Sequence, residues 1–148
     1  MANCTNSILI VSAENVSEIK DSLKILRIKN GEVDFDTTFE LDMKKYQFPA
    51  EFNRLFANNN KIYTTIPSRA VSYYNGGQHG VRYRDDVWYW NEIDAVTKKA
   101  TRLNIPPDNF YTTQNPFFHN GEIYFLSNSS TDGFSGVNQY NPVTKEIK

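Results

Sequence analysis

The sequence predicts an all-β protein with a β-propeller-like fold of about three four-stranded blades, some of them incomplete. A β-hairpin rich in β-branched and aromatic residues is predicted over 86–106, and its pattern returns near both ends of the chain at a period of about 50 residues. Aromatic residues make up 14% of the chain, which favours sheets, and no helical period is present. Within this single propeller-like segment, the predicted blade-like units span 7–47, 51–106 and 116–148.

The first unit begins with an apolar strand over 7–14, and a hairpin over 22–36 follows. Asn30-Gly31 is the strongest turn signal in this unit, because both residues tolerate a positive φ. Apolar residues at every second position extend the returning strand to Leu41. The first unit therefore has three predicted strands and lacks the innermost strand of a blade.

The second unit has four predicted strands. A short strand over 52–56 leads through the turn at 58–60, where asparagine can adopt the left-handed conformation, into a strand over 61–66. The central hairpin follows, with strands over 87–93 and 101–105, and the prolines after it end the pairing.

The third unit repeats the second in shorter form. Phe117-Phe118 leads into Asn120-Gly121, a second hairpin signal, and a strand over 122–126 follows. The chain then closes with a hairpin whose turn at 141–145 aligns with the turn at 94–98 of the second unit. This alignment is the strongest sign that the units are structural repeats.

Two pairs of aromatic residues have two interpretations. Trp88 and Trp90 are two positions apart on one strand and therefore share a face. Packing in the core or between blades is favoured over stacking on a ligand, and Phe117 and Phe118 are interpreted in the same way.

The segment over 68–85 is the candidate binding surface. The second unit is longer than the others, and only this segment lacks the strand character of its surroundings, as an insertion in a repeat would. Arginine forks bind carboxylates, phenolates or phosphates, and tyrosines offer flat faces, so the segment suits an anionic aromatic ligand. The candidate ligand-binding residues are Arg69, Tyr73, Tyr74, His79, Arg82, Tyr83 and Arg84. The alternative is a solvated loop whose arginines pair with Asp85 and Asp86.

Composition and motifs argue against several classes of function. The formal net charge of -1 gives no reason to expect a nucleic-acid partner, because phosphate binding requires a marked basic excess. Cys4, His79, His119, Asp85 and Asp86 are too scattered along the sequence to predict a metal site, and no cofactor is expected. No Gly-x-Ser-x-Gly elbow is present, so we expect a non-enzymatic protein.

The predicted blades also leave open edges, because the first and last units are incomplete. A second copy of the chain, or a partner segment that supplies the missing blades, would cover them. Two copies would give six blades, which is a normal propeller size. We expect the apolar faces of such a homodimer to include Ile8, Ile10, Tyr124 and Leu126.

Several segments resemble a known family. Residues 27–36 and 39–42 are similar to a signature of Bacteroidota surface β-propeller lipoproteins, a family first catalogued as a domain of unknown function. Residues 120–124 and 139–145 are similar to the closing blades of that family, so the chain resembles the C-terminal half of a member. The chain departs from the family in its length and in having no apolar segment ahead of Cys4, where a lipid anchor would be attached.

The resemblance implies a non-enzymatic binding protein at the cell surface or in the periplasm, working beside an outer-membrane transporter. Some family members capture iron-loaded siderophores made by other bacteria, so it implies an anionic aromatic ligand such as a ferric siderophore. Two other functions stay open. Open sheet edges also suit a protein-interaction platform, and a hydrolase or lyase would need clustered carboxylates or histidines.

Overall fold

The computed structural model describes residues 6–10, 24–29, 31–42, 53–68, 86–109, 115–129, 133 and 135–148, with the backbone alone for 6–10, 53 and 67. These residues form ten β-strands and no helix, which confirms the all-β class. The part of the chain described here accordingly contains no helix long and apolar enough to cross a membrane.

The ten strands form three antiparallel sheets, and in each sheet the strands follow one another in chain order. The first sheet consists of β1 (Asn6–Ile10), β2 (Lys24–Lys29) and β3 (Phe35–Asp42). The second sheet consists of β4 (Asn53–Asn58), β5 (Lys61–Pro67), β6 (Trp88–Asp94) and β7 (Ala100–Arg102). The third sheet consists of β8 (Phe117–His119), β9 (Glu122–Asn128) and β10 (Ser135–Tyr140). Each sheet is therefore a meander of the kind that forms a propeller blade.

A fourth strand begins in the third sheet. Tyr140 forms an isolated antiparallel bridge with Ile147. The backbones of Gln139 and Lys148 exchange two hydrogen bonds, each 2.9 Å long. The third sheet is thus nearly four-stranded, whereas the described part of the first sheet has three strands.

Two of the predicted turns are confirmed by their backbone angles. Asn59 and Asn60 have φ values of 46° and 60°, and they join β4 to β5. Asn120 and Gly121 have φ values of 48° and 83°, as a two-residue turn with both central residues left-handed requires, and they join β8 to β9.

The first hairpin is longer than predicted. Gly31 is left-handed at φ 85°, and a 3.0 Å bond from the Glu32 amide to the Lys29 carbonyl spans positions 30 and 31, but β3 begins only at Phe35, so residues 32–34 lengthen the connection. Val33 is 90% exposed and therefore has no apolar neighbour to hold it in a strand. The other half of the predicted turn, Asn30, lies outside the described residues.

The turn after β6 recurs after β10, as the sequence alignment predicts. Asp94 Oδ1 accepts hydrogen bonds from the amides of Val96 and Thr97 at 2.9 and 2.7 Å. Asn141 Oδ1 accepts equivalent bonds from the two residues at the same offsets, at 2.9 and 3.0 Å. Lys98 and Lys145 end the two turns with φ values of 58° and 66°. An aspartate or asparagine side chain that caps its own turn therefore fixes the same geometry twice.

The second sheet packs between the other two. On one side, a buried cluster joins the first and second sheets through Ile25, Phe39, Leu41, Ile62, Ile66 and Ile93. On the other side, a buried aromatic cluster joins the second and third sheets through Tyr63, Trp90, Leu103, Ile105, Ile123, Phe125 and Tyr140. Ile62 and Tyr63 are neighbours on β5 and belong to different clusters, because successive strand residues point to opposite faces.

The two pairs of aromatic residues differ in burial. Trp90 is fully buried between the second and third sheets, and Trp88 is 2% exposed, so the packing interpretation of both is confirmed. Phe117 and Phe118 are 49% and 39% exposed, so the described chain does not bury them in its core, and packing between blades stays a prediction for both. Both lie on β8, the edge strand of the third sheet, where no described strand covers them.

Candidate functional site

The seven candidate ligand-binding residues of the 68–85 segment lie outside the described residues and stay a prediction. They are Arg69, Tyr73, Tyr74, His79, Arg82, Tyr83 and Arg84. The structure does describe Ser68, where the segment begins, and Asp86 and Val87, which follow it. The Ser68 amide donates a 2.8 Å hydrogen bond to the Val87 carbonyl, so the chain leaves and re-enters the second sheet at one point.

This point lies at the end of the second sheet that we call the connection end, where β4 begins, β5 ends and β6 begins. The register pairs Asn53 with Thr65 and Pro67 with Trp88. Asp108 extends this end, since its backbone and that of Trp88 exchange hydrogen bonds of 3.1 and 2.8 Å.

The third sheet meets the second at the connection end. The Asn109 amide donates a 2.9 Å hydrogen bond to the Asn128 carbonyl at the end of β9. The Ser129 hydroxyl donates a 2.9 Å bond to the Asp86 carboxylate. Asp86 thus binds the residue that follows β9, and its predicted pairing with arginines of the 68–85 segment stays a prediction.

A buried ion pair occupies the connection end. Arg54 Nη1 donates to the carboxylate of Asp108, and the two side chains are 3% and 0% exposed. Arg54 lies at an irregularity in the pairing of β4 with β5 and has a φ of 54°. A positive φ is uncommon for a residue with a side chain, and bulges of this kind re-aim side chains.

Three buried donor atoms beside this ion pair lack acceptors. Arg54 Nε, Arg54 Nη2 and Trp90 Nε1 have no hydrogen-bond partner within the residues that the structure describes. The guanidinium carbon of Arg54 lies 5.8 Å from the centre of the Trp90 ring. Leaving a buried donor unsatisfied costs about 1–3 kcal/mol, so these three atoms represent a considerable unfavourable term.

A second buried charge, Glu92, lies between the second and third sheets. Its carboxylate, on a residue 7% exposed, accepts hydrogen bonds from the hydroxyls of Tyr63 at 3.2 Å and Tyr140 at 2.8 Å. Lys145 Nζ lies 3.0 Å from both carboxylate oxygens, and Lys61 Nζ lies 3.5 Å from one. Four donors from two strands, β5 and β10, and one turn therefore converge on one carboxylate.

The surroundings of Glu92 keep it ionised. Burial alone would raise its pKa, but the hydrogen bonds from Lys145 and Tyr140 outweigh burial and lower the pKa. Burial and the charge of Glu92 raise the pKa of Tyr63, and burial and the hydrogen bond to Glu92 raise the pKa of Tyr140. A carboxylate whose oxygens already accept four donors is suited to joining two sheets, and it is a poor base for catalysis.

The outer face of the third sheet, opposite the buried aromatic cluster, carries an exposed apolar patch beside the polar pair Gln139 and Glu122. Phe117 stacks on Tyr124 with ring centroids 5.0 Å apart and an interplanar angle of 6°. Val137 is 51% exposed and is paired with Leu126 in the register. We call Phe117, Tyr124, Leu126 and Val137 the outer aromatic face.

Within the described ranges, no group of three or more His, Cys, Asp or Glu residues is placed to hold a metal ion. Comparisons of the chain with protein-family models, with curated proteins and with solved structures find no match.

Sequence reasoning missed the burial of the charged residues Arg54 and Glu92. Arg54 and Glu92 each interrupt a run of apolar and aromatic residues, and that interruption was the available signal. A charged residue in such a run is commonly a solvent-facing position of a half-buried strand, so the signal alone did not distinguish a buried charge from an exposed one.

Proposed function

We propose that the protein is a non-enzymatic binding module whose blade-like sheets assemble with further blades through their outer faces. The observation that carries this proposal is the exposure of the outer aromatic face. The second sheet has both faces buried against a neighbouring sheet, whereas Phe117 and Val137 on the third sheet are 49% and 51% exposed. Exposed apolar patches on a sheet face mark interaction sites.

The outer face of the first sheet also carries apolar side chains, beside the exposed ion pair of Lys24 with Glu40. Leu26 and Ile28 are half-buried and Phe35 is 42% exposed, on the face opposite the cluster that contains Ile25. In the register of β1 and β2, Leu9 is paired with Leu26 and Ile8 with Arg27. Leu9 is therefore the β1 position that corresponds to this outer face.

We propose a second copy of the chain as the occupant of these faces. The second sheet packs one face on the first sheet, and the third sheet packs one face on the second. If the next sheet packs in the same way, the first sheet of a second copy would place its outer face on the outer aromatic face of the third sheet. Two copies of three sheets would close a ring of six blades, which is a normal propeller size.

Sedimentation velocity at micromolar concentration tests the assembly. We expect a dimer for the natural sequence and a monomer for Val137→Asp, because a carboxylate on the outer aromatic face would be buried without a partner. Val143→Asp is the matched control, since Val143 is 84% exposed in the last turn and lies away from this face. A monodisperse monomer of the natural sequence, with well-dispersed amide resonances, would contradict the proposal. A monomer that associates only with a different protein segment would mean that this segment, and not a second copy of the chain, covers the outer faces.

Capture of an anionic aromatic ligand by the 68–85 segment is the second candidate function. It is favoured by the rigidity of the base that carries the segment. Residues 62–66 of β5 are buried, Trp88 and Trp90 of β6 are buried, and the two ends are joined by the bond between Ser68 and Val87. Binding residues are commonly placed on a connection held by a rigid scaffold. By the family resemblance, the ligand would be a ferric siderophore passed to an outer-membrane transporter at the cell surface.

Quenching of intrinsic fluorescence by a ferric catecholate tests this candidate. The double variant Arg82→Ala/Arg84→Ala is expected to abolish saturable quenching while changing stability little, because exposed substitutions usually shift the free energy of unfolding by less than about 0.5 kcal/mol. The control Lys99→Ala/Arg102→Ala removes the same charge from exposed positions around β7. Equal loss of binding in both double variants would mean that only the net charge of the protein matters for binding. A large fall in the melting temperature of Arg82→Ala/Arg84→Ala with unchanged binding would mean that the segment has a structural role.

A further inference from the structure

We infer that Arg54 and Trp90 form a buried binding site for a small carboxylate at the connection end of the second sheet. The site uses none of the residues of the outer aromatic face and none of the candidate residues of the 68–85 segment. It is therefore independent of both functions proposed above.

The backbone at Arg54 is the first observation. Arg54 adopts a φ of 54° where the register between β4 and β5 shifts. A left-handed conformation is unfavourable for a residue with a side chain, and in this strand it accompanies a guanidinium that lies beside Asp108 and Trp90. Unusual backbone conformations of this kind concentrate at ligand-binding sites.

The unsatisfied donors are the second observation. Asp108 engages only Nη1 of Arg54, so the edge formed by Nε and Nη2 has no acceptor within the described chain. This edge is a planar fork whose spacing matches the two oxygens of a carboxylate. A guanidinium has five donors and can join two carboxylates on different edges. Asp108 and a ligand carboxylate can thus share Arg54.

Trp90 defines the class of ligand more closely. Its indole Nε1 is a third donor with no acceptor in the described part of the structure, and its ring lies 5.8 Å from the guanidinium carbon of Arg54. The side chains of Arg54 and Trp90 are almost completely excluded from solvent. A small planar anion that accepts from the fork and the indole suits this environment better than a large or strongly hydrated one.

The position of the site supports a binding role. The site lies at the end of the second sheet, where β4 begins and Asp108 extends the pairing of Trp88, so a route to it does not have to separate paired strands. The middle of a sheet offers no such route, since its backbone groups are paired with neighbouring strands.

Nuclear magnetic resonance of the tryptophan indoles tests the site with benzoate as the probe. The chain has two tryptophans, so a nitrogen–proton correlation spectrum contains two indole signals, and Trp88→Phe assigns them. We expect benzoate to move the Trp90 indole signal downfield in a saturable manner at constant ionic strength. Benzamide has the same shape without the charge and is expected to bind at least about tenfold more weakly, because charge-assisted bidentate bonds are much stronger than neutral ones.

Arg54→Lys supplies the matched variant. Lysine keeps the charge that pairs with Asp108 and removes the fork, so we expect affinity for benzoate to fall at least about tenfold while the spectrum stays dispersed. Benzoate that leaves the Trp90 signal of the natural protein unmoved would overturn the inference, and so would benzamide binding as tightly as benzoate. Both outcomes are read on the natural sequence, so they hold even if Arg54→Lys does not fold.

Discussion

Replacing Glu92 by glutamine tests whether the carboxylate between the second and third sheets holds them together. Glutamine has nearly the same shape but no charge, and its amide NH2 would face donors where an oxygen now accepts them. The hydroxyls of Tyr63 and Tyr140 would lose a charged acceptor that they contact at 3.2 and 2.8 Å. Both tyrosines are fully buried, and water cannot replace the lost partner.

The magnitude follows from the partners of Glu92. A hydrogen bond to a charged group contributes about 1.5–3 kcal/mol and one between neutral groups about 1 kcal/mol, so the two tyrosine bonds together lose about 2 kcal/mol. Lys145 is half-exposed and its ion pair contributes less than about 1 kcal/mol. Glu92→Gln should therefore lower the free energy of unfolding by about 3 kcal/mol.

Urea unfolding at neutral pH measures this loss as a lower transition midpoint with an unchanged slope. Glu146→Gln is the control, because Glu146 is exposed in the last turn, and its substitution should change stability by less than about 0.5 kcal/mol. A loss for Glu92→Gln no larger than that of the control would refute the reasoning. It would mean that the desolvation of Glu92 already cancels the gain from its four donors.

Three further predictions follow from single residues. Hydrogen bonds from Thr38 and Arg27 lower the pKa of Asp36 in the folded protein. The stability that this carboxylate contributes is therefore present above its ordinary pKa and is lost as the pH falls through its folded-state pKa. Urea unfolding midpoints measured across acidic pH should accordingly depend less on pH in Asp36→Asn than in the natural sequence. Ile62→Ala should cost about 2–5 kcal/mol in urea unfolding, because Ile62 is fully buried between two sheets, and a cost below 1 kcal/mol would mean that the cluster can collapse around it. Gly121→Ala should cost about 1–2 kcal/mol in the same assay, since open space surrounds the position and the cost comes from its φ of 83° alone; an unchanged midpoint would show that the turn relaxes.

Much of the local structure could be predicted because it depends on residues close in sequence. The turn at 94–98 and its copy at 141–145 form because Asp94 and Asn141 accept hydrogen bonds from amides two and three residues ahead. Asn120-Gly121 forms its hairpin because both residues adopt a positive φ. The first hairpin was misjudged at Gly31, where the local signal was correct but no apolar contact held the following residues in a strand.

The candidate site was harder to predict. The arginines and tyrosines of 68–85 remain a sequence-based prediction outside the described residues. Phe117 and Trp90 are both large aromatic residues in short strands, yet one is half-exposed and the other fully buried. Their sequence contexts do not distinguish them, because burial depends on whether a second sheet covers that face.

The sequence by itself determined the all-β class, the repeat and the turns, since these follow from alternation and from hydrogen bonds within a few residues. Only the tertiary structure decided which faces are covered and which charges are buried. Arg54 meets Asp108, and Glu92 meets Tyr140 and Lys145, across separations along the chain of 54, 48 and 53 residues. Such pairs form only when distant strands and whole sheets come together, and the free energy that selects them comes from burial shared by many residues, which no local pattern records.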